Sequence, residues 1–124
     1  MPFNISDKKG ENLMLVYDKA HELSKAIKES KEYLEYKEVK EKIFLNKDLK
    51  AKIEEFEKIR YEVQVLTVKG NEQDAEKMQK LQELYKILID NKEVKEFFDK
   101  EVIFNVMLAD VNKIIAEAVK DVLN

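Results

Sequence analysis

Only three of the 124 residues, Pro2, Gly10 and Gly70, are of the types that break a helix or seat a tight turn at low steric cost. A soluble protein of average composition would carry about fifteen. Sandwiches and barrels need a turn every ten residues or so, built largely on Gly and Pro. The shortage excludes an all-β fold, and with it an α/β fold that cradles phosphates in Gly-rich loops. Hydrophobic residues make up 44% of the chain, too many for a disordered polymer. The length suits one core rather than two. The expected fold is all-α: one helical domain over residues 1–124, a bundle built on a long antiparallel helical hairpin plus a long C-terminal helix, and oligomeric.

Charge argues against several function classes. Lys and Arg number 23 against 26 Asp and Glu, and the signs are interspersed along the chain. A nucleic-acid binder draws its affinity from a basic excess or stripe, so no direct nucleic-acid contact is expected. There is no Cys, which excludes disulfides, thiolate metal sites and thiol catalysis. The first residues lack the apolar core of a signal peptide, and the longest near-apolar run, Val102 to Ala109, is far short of the ~20 residues that span a bilayer. The expected setting is the cytoplasm, without a membrane partner.

Periodicity divides the chain into helices. Residues 1–10 read as a polar leader. Leu13, Val16, Tyr17, Ala20, Leu23 and Ile27 then recur every three or four residues, as one face of a helix over 11–29 does. A second helix carries Tyr33, Tyr36, Val39 and Ile43 to about Leu45. A third, over 47–69, carries Leu49, Ile53, Phe56, Ile59, Val63 and Leu66, and a fourth, over 72–89, carries Met78, Leu81, Tyr85 and Leu88. With Lys69-Gly70-Asn71 between them, the last two form a hairpin over 47–89, and Gly70 is expected to take a left-handed conformation after the last turn. Three helix starts share one pattern, Ser30-Lys31-Glu32-Tyr33, Asn46-Lys47-Asp48-Leu49 and Asn91-Lys92-Glu93-Val94. Each offers a capping oxygen to an orphan amide and an acid to the positive end of the dipole.

The C-terminal helix, over 91–122, is the unusual one. Its main stripe is Val94, Phe97, Phe104, Leu108, Val111, Ile115, Ala118 and Val122, expected to dock on the hairpin. Val102, Ile103, Val106 and Ala109 occupy the opposite arc. A helix apolar nearly all round wants burial on both sides, and a second subunit is the natural second side. Val102, Ile103, Asn105, Val106, Ala109 and Asn112 are therefore the candidate oligomer interface. An Asn in such a seam fixes register, because mismatched pairings leave its amide unsatisfied; the alternative is that Asn105 and Asn112 edge the solvent face.

No catalytic, cofactor-binding or metal-ligating set is expected. Asp18 and His21 have the spacing that places two ligands on one helix face, but di-iron bundles need two such motifs and this chain has one His. Glu54, Glu55 and Glu57 lie among Lys residues, where i,i+4 ion pairs and solvation explain them. Phe97-Phe98 and Tyr33/Tyr36 are expected in the core rather than as stacking platforms for bases.

The ordered series Tyr17-Asp18-Lys19-Ala20-His21-Glu22-Leu23, Ser30-Lys31-Glu32-Tyr33, Lys80-Leu81-Gln82-Glu83-Leu84-Tyr85, Asn91-Lys92-Glu93-Val94, Met107-Leu108-Ala109-Asp110-Val111 and Ile114-Ile115-Ala116-Glu117-Ala118 resembles the YlbF/YmcA family of small bacterial proteins, most of all its YheA-type branch. The resemblance runs from about residue 11 to 122. It implies a helical, self-associating cytoplasmic protein of a Gram-positive-type bacterium. Characterised relatives are non-enzymatic regulators of competence, biofilm formation and sporulation, and some join a complex that directs an endoribonuclease in mRNA processing. Complexes of those relatives hold iron–sulfur clusters through Cys, which this chain lacks. The expected function is a regulatory adaptor without cofactors, partnered by itself as a dimer or larger and by other regulatory proteins. The alternative is a carboxylate-rich helical-bundle metal protein or enzyme, which stoichiometric bound metal would reveal.

Overall fold

The structure, a computed structural model, describes residues 5–68 and 75–123. These residues form five helices and no strand: α1 (Ile5–Glu29), α2 (Lys31–Phe44), α3 (Lys47–Val68), α4 (Ala75–Ile89) and α5 (Lys92–Leu123). The turn at Gly70 lies outside the described residues. Helix α1 starts six residues before the expected position, so residues 5–10 of the polar leader are helical. The lone Gly10 costs a helix about 1 kcal/mol relative to Ala, which the remaining turns of a 25-residue helix absorb.

The chain changes direction on polar side chains instead of Gly or Pro. Ser30 is extended, with φ −70° and ψ 149°, and its Oγ accepts a hydrogen bond from the Tyr33 amide at 3.2 Å. Asn46 Oδ1 accepts from the amides of Asp48 and Leu49, both at 3.1 Å. Asn91 Oδ1 accepts from those of Glu93 and Val94 at 2.9 and 3.2 Å. Each repeated four-residue pattern is thus a working cap, and one residue (Ser30) or two (Leu45-Asn46, Asp90-Asn91) suffice to end a helix and start the next.

Helices α3 and α4 lie antiparallel. Phe56 stacks on Tyr85 with 5.7 Å between ring centroids, and the ion pairs Lys77–Glu62 (3.2 Å) and Lys80–Glu55 (3.4 Å) tie the two helices along their length. Helix α5 departs from expectation: its stripe docks mainly on α2, not on the hairpin. Phe97 meets Tyr36 and Phe44, and Phe104 meets Tyr33 and Tyr36, at centroid separations of 5.5–6.1 Å. The hairpin instead receives Phe98, one residue off the stripe, which meets Phe56 and Tyr85. Adjacent residues on a helix point 100° apart, so Phe97 and Phe98 address two neighbours at once. Around them close Ile43, Ile53, Phe56, Leu88 and Val94, one core shared by α2, α3, α4 and α5. Fully burying a side chain such as Phe97 stabilises the fold by roughly 2–3 kcal/mol.

Candidate interaction surface

The shared core occupies only the first three turns of α5. Its last fully enclosed residue is Glu101, and beyond Val111 every described residue of the helix is exposed. The stripe therefore does not dock along its whole length as the sequence suggested: Ile115 is 50% exposed and Val122 80%. The cause is the length of the partner. Helix α2 has 14 residues against 32 in α5, and it runs antiparallel, with Glu35 joined to Lys100 at 3.1 Å and Lys42 to Glu93 at 3.8 Å. Past Phe104, which lies against Tyr33 near the start of α2, α2 has no more residues to offer.

Helix α1 is in the same situation. It joins α2 at Ser30, at the end where α5 leaves the core, and from Gly10 to Ala26 each of its residues is exposed. Leu13, Met14, Leu15, Val16, Tyr17 and Leu23 are among them. Fourteen of the nineteen large hydrophobic residues exposed among the described residues belong to α1 and α5. Scattered exposed Leu or Val is normal on a soluble protein, but concentration on two helices marks an interaction surface.

Of the six candidate interface residues, Val102, Ile103, Asn105, Val106, Ala109 and Asn112, all are exposed and none belongs to the core. They share the middle of α5, where the helix leaves its partners. Val102 and Val106 flank one arc and Ile103 lies on the next, with about half of each side chain open to solvent.

At the root of this surface sits a polar cluster. Glu101 is 7% exposed, on a helix position that successive apolar residues would otherwise fill. Tyr36 Oη donates to its Oε2 at 3.3 Å, and Arg60 Nη1 lies 3.5 Å from its Oε1. Partial burial, and then the charge of Glu101 and the hydrogen bond to it, push the Tyr36 hydroxyl up to about 12, so it stays a donor. Glu57, one turn before Arg60, has its carboxyl raised above the usual range, first by partial burial and then by the repulsion of Glu101, with Arg60 and Lys40 opposing. Glu54 behaves as the sequence suggested, paired with Lys50 one turn away, whereas Glu55 pairs across the hairpin with Lys80. Glu57 does neither: it faces the Glu101 cluster.

Asp18 and His21 lie on the exposed length of α1, beside the surface pair Lys19–Glu22. Among the described residues no group of three or more His, Asp or Glu side chains is placed to hold a metal ion. A cleft of about 230 Å³ between α2 and α5 is lined by Glu35, Glu38, Lys42, Glu93, Glu96 and Lys100, and four of these six are joined in the ion pairs Lys100–Glu35 and Lys42–Glu93.

Comparison with known proteins gives the fold a lineage. The family model described as control of competence regulator ComK, YlbF/YmcA, matches residues 16–120. The chain belongs to the YlbF/YmcA family. Its curated relatives include UPF0342 proteins of Caldicellulosiruptor bescii, 37% identical over 85% of this chain and 88% of the relative, and of Caldicellulosiruptor saccharolyticus, 39% identical over 84% and 87%. Another, from Symbiobacterium thermophilum, is 36% identical over 84% of this chain and 93% of its own. A solved structure of a protein of unknown function (DUF964) from Bacillus stearothermophilus superposes with a TM-score of 0.71 at 14% identity, covering 86% of this chain and 93% of that one. At that identity the likeness is one of fold. Among the described residues of this YlbF/YmcA-family chain, no helix is long and apolar enough to cross a membrane.

Glu101 stands in none of the motifs that mark the chain. Spacing carries the signal: Val94, Phe97, Glu101, Phe104 and Leu108 step by three and four along one face, and an acid inside such a run needs a buried partner.

Proposed function

We propose that this protein is a non-enzymatic regulatory adaptor of the cytoplasm that works by protein–protein contact, as a homo-oligomer and through it with other regulatory proteins. The observation that carries this reading is the concentration of exposed large hydrophobic residues on α1 and the distal two-thirds of α5. A surface of that kind marks a site that another macromolecule covers. The family description, control of a competence regulator, supports a role exercised on other proteins and not on a small substrate. The candidate interface of Val102, Ile103, Asn105, Val106, Ala109 and Asn112 is the part of α5 that contacts the second copy, and Asn105 and Asn112 set its register.

Val106→Lys tests the reading by light scattering at micromolar concentration. A Lys placed in an apolar interface is desolvated without a partner, so the variant loses mass relative to wild type while its helicity is kept. An unchanged mass would place Val106 outside the interface and overturn its assignment.

A further inference from the structure

The face of α1 and the distal face of α5 match each other in length and phase. On α1, Leu13, Val16, Ala20, Leu23 and Ile27 are separated by three, four, three and four residues. On α5, Leu108, Val111, Ile115, Ala118 and Val122 repeat the same steps. Each set covers two heptads, about 21 Å of helix at 1.5 Å per residue. A sustained three–four alternation is the spacing that packs one helix against another with knobs in holes. Most of both faces is open: Leu13, Val16, Ala20 and Leu23 on α1 and Ile115, Ala118 and Val122 on α5 are exposed, while Ile27, Leu108 and Val111, near the core, are partly buried; Val16 is 61% exposed although both arms leave the core at the same end.

We propose that a second copy of this chain covers both faces at once, α1 of one copy packing on distal α5 of the other. The inference rests on the self-association argued above and adds which helix meets which. Two features favour this pairing over like-with-like contact. First, the positions flanking the α1 face are Asn12, Tyr17, Lys19, Ser24 and Ala26, and those flanking the α5 face are Met107, Asn112, Ile114, Val119 and Asp121. Each set contains one charge, and the charges are opposite, so a mixed pairing brings Lys19 and Asp121 to one interface. Second, a two-fold axis duplicates the mixed contact and covers these four faces in a closed dimer; the arc of Val102, Ile103, Val106 and Ala109 lies on the opposite side of α5 and outside this helix pairing. The flanks of distal α5 are also largely apolar, as expected of a helix with neighbours on several sides. The resulting unit is a four-helix arrangement of two α1 and two α5 helices, with each chain's core outside it.

The chain contains no Cys, so introduced thiols report contacts without background. Three double variants keep Val16→Cys and add Leu108→Cys, Ile115→Cys or Val122→Cys, one per heptad of the α5 face. Disulfides form only where Cα atoms come within about 7 Å. After mild oxidation of the folded protein, at least one double variant runs as a covalent dimer on a denaturing gel, while the four corresponding single variants stay monomeric. A monomer-mass band without free thiol would mean that each chain covers its own α1, and a ladder of higher species would mean an open chain of contacts. Covalent dimers from the single variants would mean like-with-like pairing, and no disulfide in any double variant would mean no pairing. Each of these four results overturns the proposal. If any of them occurs while sedimentation still shows a dimer, the assignment of helices fails and self-association stands; a monomer in sedimentation removes both.

Discussion

Tyr36 and Glu101 are joined by a 3.3 Å hydrogen bond from the Tyr36 hydroxyl across the α2–α5 interface, and Arg60 reaches the other oxygen of the same carboxylate from α3. One buried acid thus ties three helices at the point where α5 leaves the core. The exposure of the ion pair is uneven: the Glu101 side chain is 9% exposed and that of Arg60 41%.

This asymmetry predicts unequal costs for removing the two partners. Arg60→Met leaves a buried carboxylate with only the Tyr36 hydroxyl, and costs about 2 kcal/mol or more. Glu101→Leu leaves an Arg that rehydrates and fills the apolar stripe, so it changes stability by less than about 1 kcal/mol or raises it. Urea unfolding of the two variants decides the matter. A larger loss from Glu101→Leu would show that the carboxylate contributes net stability and is not a tolerated polar group.

The raised carboxyl of Glu57 makes stability depend on pH with a definite sign. A carboxyl whose value in the fold lies above its unfolded value holds its proton more tightly when folded. As pH rises from the ordinary value of 4.5, the unfolded chain loses the proton first, and stability falls until the raised value is passed. Glu57→Gln removes this penalty. The variant is therefore more stable than wild type near neutrality, and the difference disappears in acid, below the ordinary range. Chemical unfolding at both conditions checks it; a variant advantage that persists unchanged into acid would assign the effect to something other than titration.

The capping side chains predict local losses. Asn91→Ala frees two amides at the start of the helix that carries Val94 and Phe97, and costs about 1 kcal/mol, with Asn46→Ala similar. Thermal unfolding measures both, and Asn91→Asp, which keeps the accepting oxygen, restores most of the loss. Failure of Asp to restore it would argue that the amide's donors, not its oxygen, matter at this position.

These caps were legible in the sequence because a cap is local: Ser30, Asn46 and Asn91 each need only the amides two or three residues ahead. The antiparallel relation of α3 and α4 was legible as well, from two apolar faces on either side of a short polar segment. The docking of α5 was not. Whether Phe97 or Phe98 faces α2 depends on where the hairpin settles, and periodicity within one helix carries no information about the identity of its neighbour. The halt of burial near Val111 was equally hidden, since it follows from the 14-residue length of α2 set against the register of α5. Glu57 was misjudged for a related reason. An acid among lysines looks solvated until the helix opposite is known.

The account depends most on another molecule covering α1 and distal α5 in solution. Sedimentation velocity of the unmodified chain across a dilution series from high to sub-micromolar concentration tests this directly. The account predicts a species of at least twice the 14.7 kDa chain mass, dissociating toward monomer only at the dilute end. A single monomeric species across the whole series would contradict it.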